Sequence, residues 1–169
     1  MELPHPFNQM MTFPCELTLR TTADGVRMFA RPIREIELLH ENCHAVKNVV
    51  TRPEELVVVP ISGRLFDIRA ELTLGDAKRF GLTIGDRTVV YDVAASTLDD
   101  MPLAPVDGKI RVQILIDRPS IEICGNDGRV MKTDSFRWQG PIESIQVFSE
   151  EGSVKVDSLE VYELNSAWK

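Results

Sequence analysis

The 169-residue sequence contains no apolar run of the roughly 18 residues that a membrane-spanning helix needs. Its opening residues, MELPHPFNQ, lack the basic start and the apolar centre of a secretory signal peptide. Basic residues are outnumbered, with 19 Lys and Arg against 26 Asp and Glu, and the net charge of −7 disfavours nucleic acids and anionic membranes as partners. We therefore expect a soluble domain, and its cellular location stays unknown.

Cysteine and histidine are also scarce. The three cysteines are Cys15, Cys43 and Cys124. They cannot all pair with one another, and their apolar, strand-like surroundings favour buried free thiols over a disulfide framework. His40 and His44 have a spacing that would align metal ligands on a helix, but Glu41-Asn42 between them predicts a turn, which indicates loop histidines. With no glycine-rich phosphate loop either, the sequence predicts neither a metal site nor a cofactor.

The sequence does contain segments in which apolar and polar residues alternate, most clearly residues 108–130. Apolar residues occupy every second position of the first half: Ile110, Val112, Ile114 and Ile116. This period predicts a strand with one buried face, which Arg118-Pro119-Ser120 interrupts because proline cannot donate to a sheet ladder. A second strand follows, in which Glu122 is predicted to face outward. Asn126-Asp127-Gly128 then predicts a type I′ hairpin turn, so the segment should form an antiparallel meander.

Comparable patterns recur along the rest of the chain. Strands are predicted around Leu17 and at residues 26–30, 45–51, 64–74, 88–93, 142–148 and 154–164. Residues 76–80 are predicted to form one helical turn, while residues 32–41 fit either a helical turn or a strand. Roughly ten to twelve short strands with frequent turn signals predict an all-β, antiparallel two-sheet sandwich. We expect residues 1–13 to form an extended arm and residues 14–169 to form a single domain.

Two segments carry a resemblance to a known family. Asp-Arg-x-Ser-Ile-Glu-Ile followed by Asn-Asp-Gly resembles the signature of the C-terminal β-sandwich of glycoside hydrolase family 32, the β-fructosidases that include invertases, levanases and inulinases. The matching signature residues are Asp117, Arg118, Glu122, Asn126, Asp127 and Gly128. Residues 6–20 resemble the passage that leads from the family's catalytic propeller into the sandwich. The sequence departs mildly from the pattern at Cys124, where an aromatic residue is common, and at Pro119.

The family's three catalytic motifs are missing from the sequence. They are Trp-x-Asn-Asp-Pro-Asn-Gly, Arg-Asp-Pro and Glu-Cys, and all belong to the propeller. The resemblance therefore implies a non-catalytic, lectin-like jelly roll that packs on a propeller in the same polypeptide, with a homodimer as a further possibility. The parent enzyme would hydrolyse β-fructofuranosidic bonds with retention. Residues of the arm are the predicted docking surface: Phe7, Asn8, Gln9, Met10, Met11 and Phe13.

Two alternatives remain open at this point. One is a free-standing, lectin-like carbohydrate-binding module, for which Trp138, beside Gln139-Gly140-Pro141, is the best candidate to stack on a sugar ring. The other is an autonomous glycosidase that uses Asp117 and Glu122 as its carboxylate pair. Because Arg118 lies between these carboxylates in the sequence and should keep both ionised, a structural cluster is the favoured interpretation.

Overall fold

The computed structural model describes residues 10–136 and 138–167. The strands are β1 (Cys15–Thr22), β2 (Gly25–Pro32), β3 (His40–Thr51), β4 (Val57–Gly63), β5 (Phe66–Leu74), β6 (Arg79–Ile84), β7 (Arg87–Asp92), β8 (Thr97–Leu98), β9 (Met101–Pro102), β10 (Lys109–Asp117), β11 (Ser120–Gly125), β12 (Val130–Ser135), β13 (Ile142–Glu150) and β14 (Val154–Leu164). A 3₁₀ helix, Arg34–Leu39, joins β2 to β3. Within the described residues, no helix has the length and apolar character needed to cross a membrane.

Twelve of these strands form two six-stranded antiparallel sheets that pack face to face. The first sheet has the order β12-β11-β10-β5-β14-β3, and the second has the order β4-β13-β6-β7-β8-β9. Alternate residues of each strand enter a shared core, as Ile68 and Ile114 do from the first sheet and Leu82 and Ile145 from the second. The all-β, antiparallel two-sheet sandwich predicted from the sequence is confirmed.

The meander of residues 108–130 is also confirmed. Asp117 pairs with Ser120 across the first turn, and Gly125 pairs with Val130 across the second. The second connection is longer than a two-residue turn, since three consecutive residues, Asn126, Asp127 and Gly128, have φ angles of 44°, 59° and 93°. Positive φ is uncommon for residues other than glycine, and asparagine and aspartate tolerate it best, which accounts for the composition of this loop.

β1 and β2 form a separate two-stranded sheet, called the ribbon below. It lies against the outer face of the first sheet, where the Ala30 N–H donates to the Gly128 carbonyl at 2.9 Å. The 3₁₀ helix covers a neighbouring part of the same face, with Glu37 bonded to Arg69 of β5. The ribbon and the 3₁₀ helix therefore cover part of the outer face of the first sheet, which would otherwise be exposed to solvent.

Two local predictions are wrong, and a strand was missed. Glu41 and Asn42 lie inside β3 and not in a turn, so His40 and His44 are strand residues. Residues 76–80 form no helical turn, because Phe80 is a buried core residue of β6. β4 was not among the predicted strands; it lies at a sheet edge and carries Pro60, a residue that edge strands tolerate.

Candidate functional site

Glu122 lies in β11 on the outer face of the first sheet, opposite Leu115 of β10. Both residues are buried, at 1% and 0% exposure. The Phe13 N–H, from the arm, donates to Glu122 Oε1 at 2.8 Å. Glu122 Oε2 has no hydrogen-bond partner among the described residues. Glu122 thus faces outward from the core as predicted, but the arm covers that face, so the side chain is buried and not solvated.

The pKa of the Glu122 carboxyl is raised, first by burial and also by the charge of Asp117, while the Phe13 N–H acts in the opposite direction. Arg118 is exposed and forms no ion pair with either carboxylate in the part of the chain that the structure describes. Asp117 instead accepts the backbone N–H of Arg118 at 2.7 Å. The Asp–Arg–Glu side-chain cluster expected from the sequence is thus not formed, and Glu122 is a covered carboxyl beneath the arm.

A raised pKa at Glu122 makes a testable prediction about stability against pH. The pKa of Glu122 is higher in the folded chain than in the unfolded chain. Its contribution to the free energy of unfolding is therefore most favourable below about pH 4.5 and is lost as pH rises through the folded pKa. Glu122→Gln removes this titration and keeps an oxygen that accepts from Phe13. Urea unfolding at a series of pH values should therefore show the variant gaining stability over the original chain as pH rises from 4 to 7. A pH-independent difference would contradict the assignment.

A second buried carboxylate, Asp67 of β5, lies on the same face and is 0% exposed. Its Oδ2 accepts from Arg69 Nη2 at 2.8 Å and lies 3.0 Å from His40 Nε2. Its Oδ1 accepts from Gln113 Nε2 at 2.9 Å. The His40 ring stacks on Tyr162 at 3.9 Å. The hydrogen bonds join β3, β5 and β10 of the first sheet, and the stacking adds β14. Asp67 is fully hydrogen-bonded, which is the arrangement of a structural group. Sequence patterning gave no signal for it.

A cleft of about 320 Å³ opens beside this network, between the outer face of the first sheet and the segment from β2 to the 3₁₀ helix. Its lining includes Arg34, Glu37, Arg69, Glu71, Arg111 and Gln113. Most of the charges there are already paired: Arg69 with Asp67 and Glu37, and Arg111 with Glu71 at 2.8 Å. Asp117 and Glu122 are not among the residues that line this cleft, so the candidate glycosidase pair does not face it.

The loop residues of the signature connect distant parts of the fold. The Asn126 side chain accepts the Arg111 N–H and donates to the Ala104 carbonyl, both at 2.9 Å. Asp127 is exposed and lies 3.9 Å from Arg111. Gly128 lies against the ribbon, where a Cβ atom would meet the Ala30 carbonyl oxygen at 2.5 Å. Asn126 thus holds the loop against Arg111 and Ala104, and Gly128 positions the ribbon on the sandwich.

Trp138, the predicted sugar contact, is 8% exposed and belongs to the core. Its Nε1 donates to the Asp117 carbonyl at 3.2 Å, and its ring packs on Phe136. The prediction of an exposed ring is wrong, because the loop folds back onto the end of β10. Tyr91 is buried as well. Trp168 lies outside the described residues.

The cysteines are free, as expected, but they differ in exposure: Cys124 is buried, Cys15 is half-buried and Cys43 is exposed. Burial raises the pKa of the Cys124 thiol to about 12, so this group is not a reactive thiolate at neutral pH. His40 and His44 each approach a carboxylate, of Asp67 and of Glu163 at 2.9 Å, and not each other's side chain.

The predicted docking arm lies partly outside the described residues, which exclude Phe7, Asn8 and Gln9. Of the remaining members, Met10 and Met11 are exposed, at 39% and 94%. Phe13 is half-buried and is tied to Glu122 through its backbone. The docking role of the arm stays a prediction.

Comparison with known proteins gives the family. Residues 35–163 match the sequence model described as the C-terminal domain of glycosyl hydrolases family 32. The chain belongs to this family. The levanase of Bacillus subtilis (strain 168) is 28% identical over 96% of the chain, and that of Bacillus sp. (strain L7) is 31% identical over 94%. The chain spans only 28% and 20% of the lengths of these two levanases.

Solved structures agree on the fold of this family 32 domain. The exo-inulinase of Aspergillus awamori superposes over 98% of the chain with a TM-score of 0.78 and 17% identity. A β-fructofuranosidase of Schwanniomyces occidentalis superposes over 92% with a TM-score of 0.75. The chain covers 38% and 40% of those two proteins. It therefore corresponds to the C-terminal domain of larger family 32 enzymes.

Proposed function

We propose that the chain is the non-catalytic accessory module of a β-fructofuranosidase or levanase-like enzyme, in which it packs on and stabilises a catalytic propeller in the same polypeptide. The observation that carries this proposal is that the signature residues make contacts within the domain. Asn126 and Gly128 hold the loop and ribbon in place, and Glu122 is covered by the arm. None of these three residues lines the cleft beside the Asp67 network, which supports a structural role for them over a role in glycosidic hydrolysis.

Hydrolysis assays test the non-catalytic role. The 169-residue chain alone should release no fructose from sucrose, inulin or levan above the buffer background, because both carboxylates of the candidate pair lie outside the cleft. Turnover by the isolated chain that is lost in Asp117→Ala or Glu122→Ala would contradict the proposal. Coding DNA without a catalytic domain in frame with this sequence would contradict the packing role.

A free-standing carbohydrate-binding module is the second candidate, and the cleft on the outer face of the first sheet is the observation that favours it. Its polar groups could bond sugar hydroxyls, yet most of its charges are already paired, and none of the described residues that line it is aromatic. Calorimetry with fructo-oligosaccharides should therefore give a dissociation constant weaker than about 100 μM. Tighter binding that is lost in Gln113→Ala would favour this second function over the first.

A further inference from the structure

The lining of the cleft beside the Asp67 network differs in charge from the chain as a whole. The cleft has a volume of about 320 Å³, within the range of sites that hold small ligands. The chain carries a net charge of −7, but the lining has three acidic residues and four arginines: Arg31, Arg34, Arg69 and Arg111. Guanidinium groups collected in a cleft of an acidic chain point to an anionic ligand.

Two of these arginines belong to the strands that form the floor of the cleft, and each is anchored by a carboxylate. Arg69 of β5 donates through Nη2 to Asp67 Oδ2 at 2.8 Å, and Asp67 is 0% exposed. Arg111 of β10 donates through Nε to Glu71 Oε2 at 2.8 Å, and Glu71 also accepts from Lys109. Both guanidinium groups are therefore held in place before a ligand arrives.

The second carboxylate beside each floor arginine is exposed and weakly held. Glu37 is 53% exposed and accepts from Arg69 Nη1 at 2.9 Å. Asp127 is 56% exposed and lies 3.9 Å from Arg111 Nη1. Exposed ion pairs contribute only about 0–1 kcal/mol. An anion in the cleft can thus replace both carboxylates at little cost, while the anchors of the two arginines stay in place.

Arg34, the first residue of the 3₁₀ helix, lines the same cleft without such a partner. It is exposed, and it forms no hydrogen bond or ion pair within the part of the chain that the structure describes. Arg69 is the main cause of the lowered pKa of Glu37, to which the charge of Arg34 adds a smaller effect. The backbone before Arg34 is fixed, because the Ile33 N–H donates to the Pro14 carbonyl at 3.1 Å. The N–H donors of Arg34 are therefore available to a ligand.

We propose that this cleft binds a small organic polyanion, a molecule of about monosaccharide size that carries at least two negative charges on carboxylate or phosphate groups. The ligand displaces the exposed side chains of Glu37 and Asp127 and binds the guanidinium groups of Arg34, Arg69 and Arg111. Guanidinium groups match carboxylate and phosphate oxygens in bidentate geometry. A neutral fructo-oligosaccharide gains none of these ion pairs. The site is additional to the proposed packing function and does not depend on it.

Calorimetric titration of the 169-residue chain at constant ionic strength tests the proposal. The ligands are citrate, which carries only carboxylates, and glucose 6-phosphate, which carries only a phosphate, so the two titrations distinguish the two kinds of anion. Glucose is the uncharged control. We expect a dissociation constant below about 1 mM for at least one of the anions and no measurable binding of glucose.

Three variants assign the binding to the cleft. Arg34→Ala should weaken it at least about fivefold, because a charge-assisted hydrogen bond is lost. Glu37→Gln should strengthen it about two- to fivefold, because the competing carboxylate is removed. Arg52→Ala is the matched control: it also removes an exposed arginine, but Arg52 pairs with Glu55 and does not line the cleft. This control should leave the affinity unchanged, and all three variants should keep the unfolding temperature of the original chain within about 2 °C.

Three results would overturn the inference. Binding of both anions weaker than about 10 mM would show that the paired arginines accept no ligand. An equal loss of affinity in Arg34→Ala and Arg52→Ala would show attraction to the overall charge and not a site. Glucose binding as tight as that of the anions would identify a site for neutral sugars. Each result leaves the proposed packing function untouched, since calorimetry of the joined enzyme tests that function separately.

Discussion

Asp67→Ala should lower the free energy of unfolding by about 2–4 kcal/mol, or roughly 5–15 °C in melting temperature for a chain of this size. Asp67 is 0% exposed and binds Arg69, His40 and Gln113 at once. Its removal leaves three donors without their acceptor beside a sheet face that is largely covered. Part of the cost is offset because Arg69 is 33% exposed and can be solvated.

The second ion pair of Arg69 provides a control for this prediction. Its other partner, Glu37, is 53% exposed and accepts from Nη1 at 2.9 Å. Exposed ion pairs contribute little, so Glu37→Ala should cost less than about 1 kcal/mol although it removes a bond from the same guanidinium. Chemical denaturation of both variants measures the difference. Equal costs would show that the Asp67 network does not stabilise the first sheet as its burial suggests.

Gly128→Ala is expected to cost about 2–4 kcal/mol, the second large effect. Its φ of +93° is unfavourable for alanine, which accounts for about 1 kcal/mol. The added Cβ would also lie 2.5 Å from the Ala30 carbonyl oxygen, and relief of such an overlap by backbone shifts costs about 1–3 kcal/mol more. The shift would separate Ala30 from Gly128, where the ribbon is bonded to the loop.

Gly108→Ala is the matched control for this prediction. Gly108 has a φ of +72°, but no atom lies within 4 Å of the position of its added Cβ. The control should therefore lose only about 1 kcal/mol from the backbone angle. Melting temperatures of the two variants separate the two contributions. If Gly128→Ala costs no more than the control, the ribbon does not pack against the loop as described.

The sequence predicted the parts of the fold that local patterning determines. The alternation of Ile110, Val112, Ile114 and Ile116 places all four in the core, and Pro119 and Asn126-Asp127-Gly128 end their strands as expected. In these segments, side-chain periodicity and turn chemistry act over a few residues, so the pattern is sufficient.

The surroundings of a side chain could not be predicted in the same way where segments distant in the sequence create them. Alternation correctly assigned Glu122 to the outer face, but only the path of the arm shows that this face is covered. Trp138 follows a polar loop pattern and is buried because the loop returns to Asp117. The Asp67 network joins residues from β3, β5 and β10, and nothing in the sequence near Asp67 indicates these partners.

Scanning calorimetry of the enzyme that joins this chain to its catalytic domain, compared with the 169-residue chain alone, tests the central claim most directly. When a module packs on a catalytic domain, the free energy of their contact stabilises the folded state of both, so each raises the stability of the other. We expect the sandwich to unfold together with the catalytic domain, at a higher temperature than the isolated chain. Unfolding of the sandwich at the same temperature in both proteins, in a transition separate from that of the catalytic domain, would contradict the account.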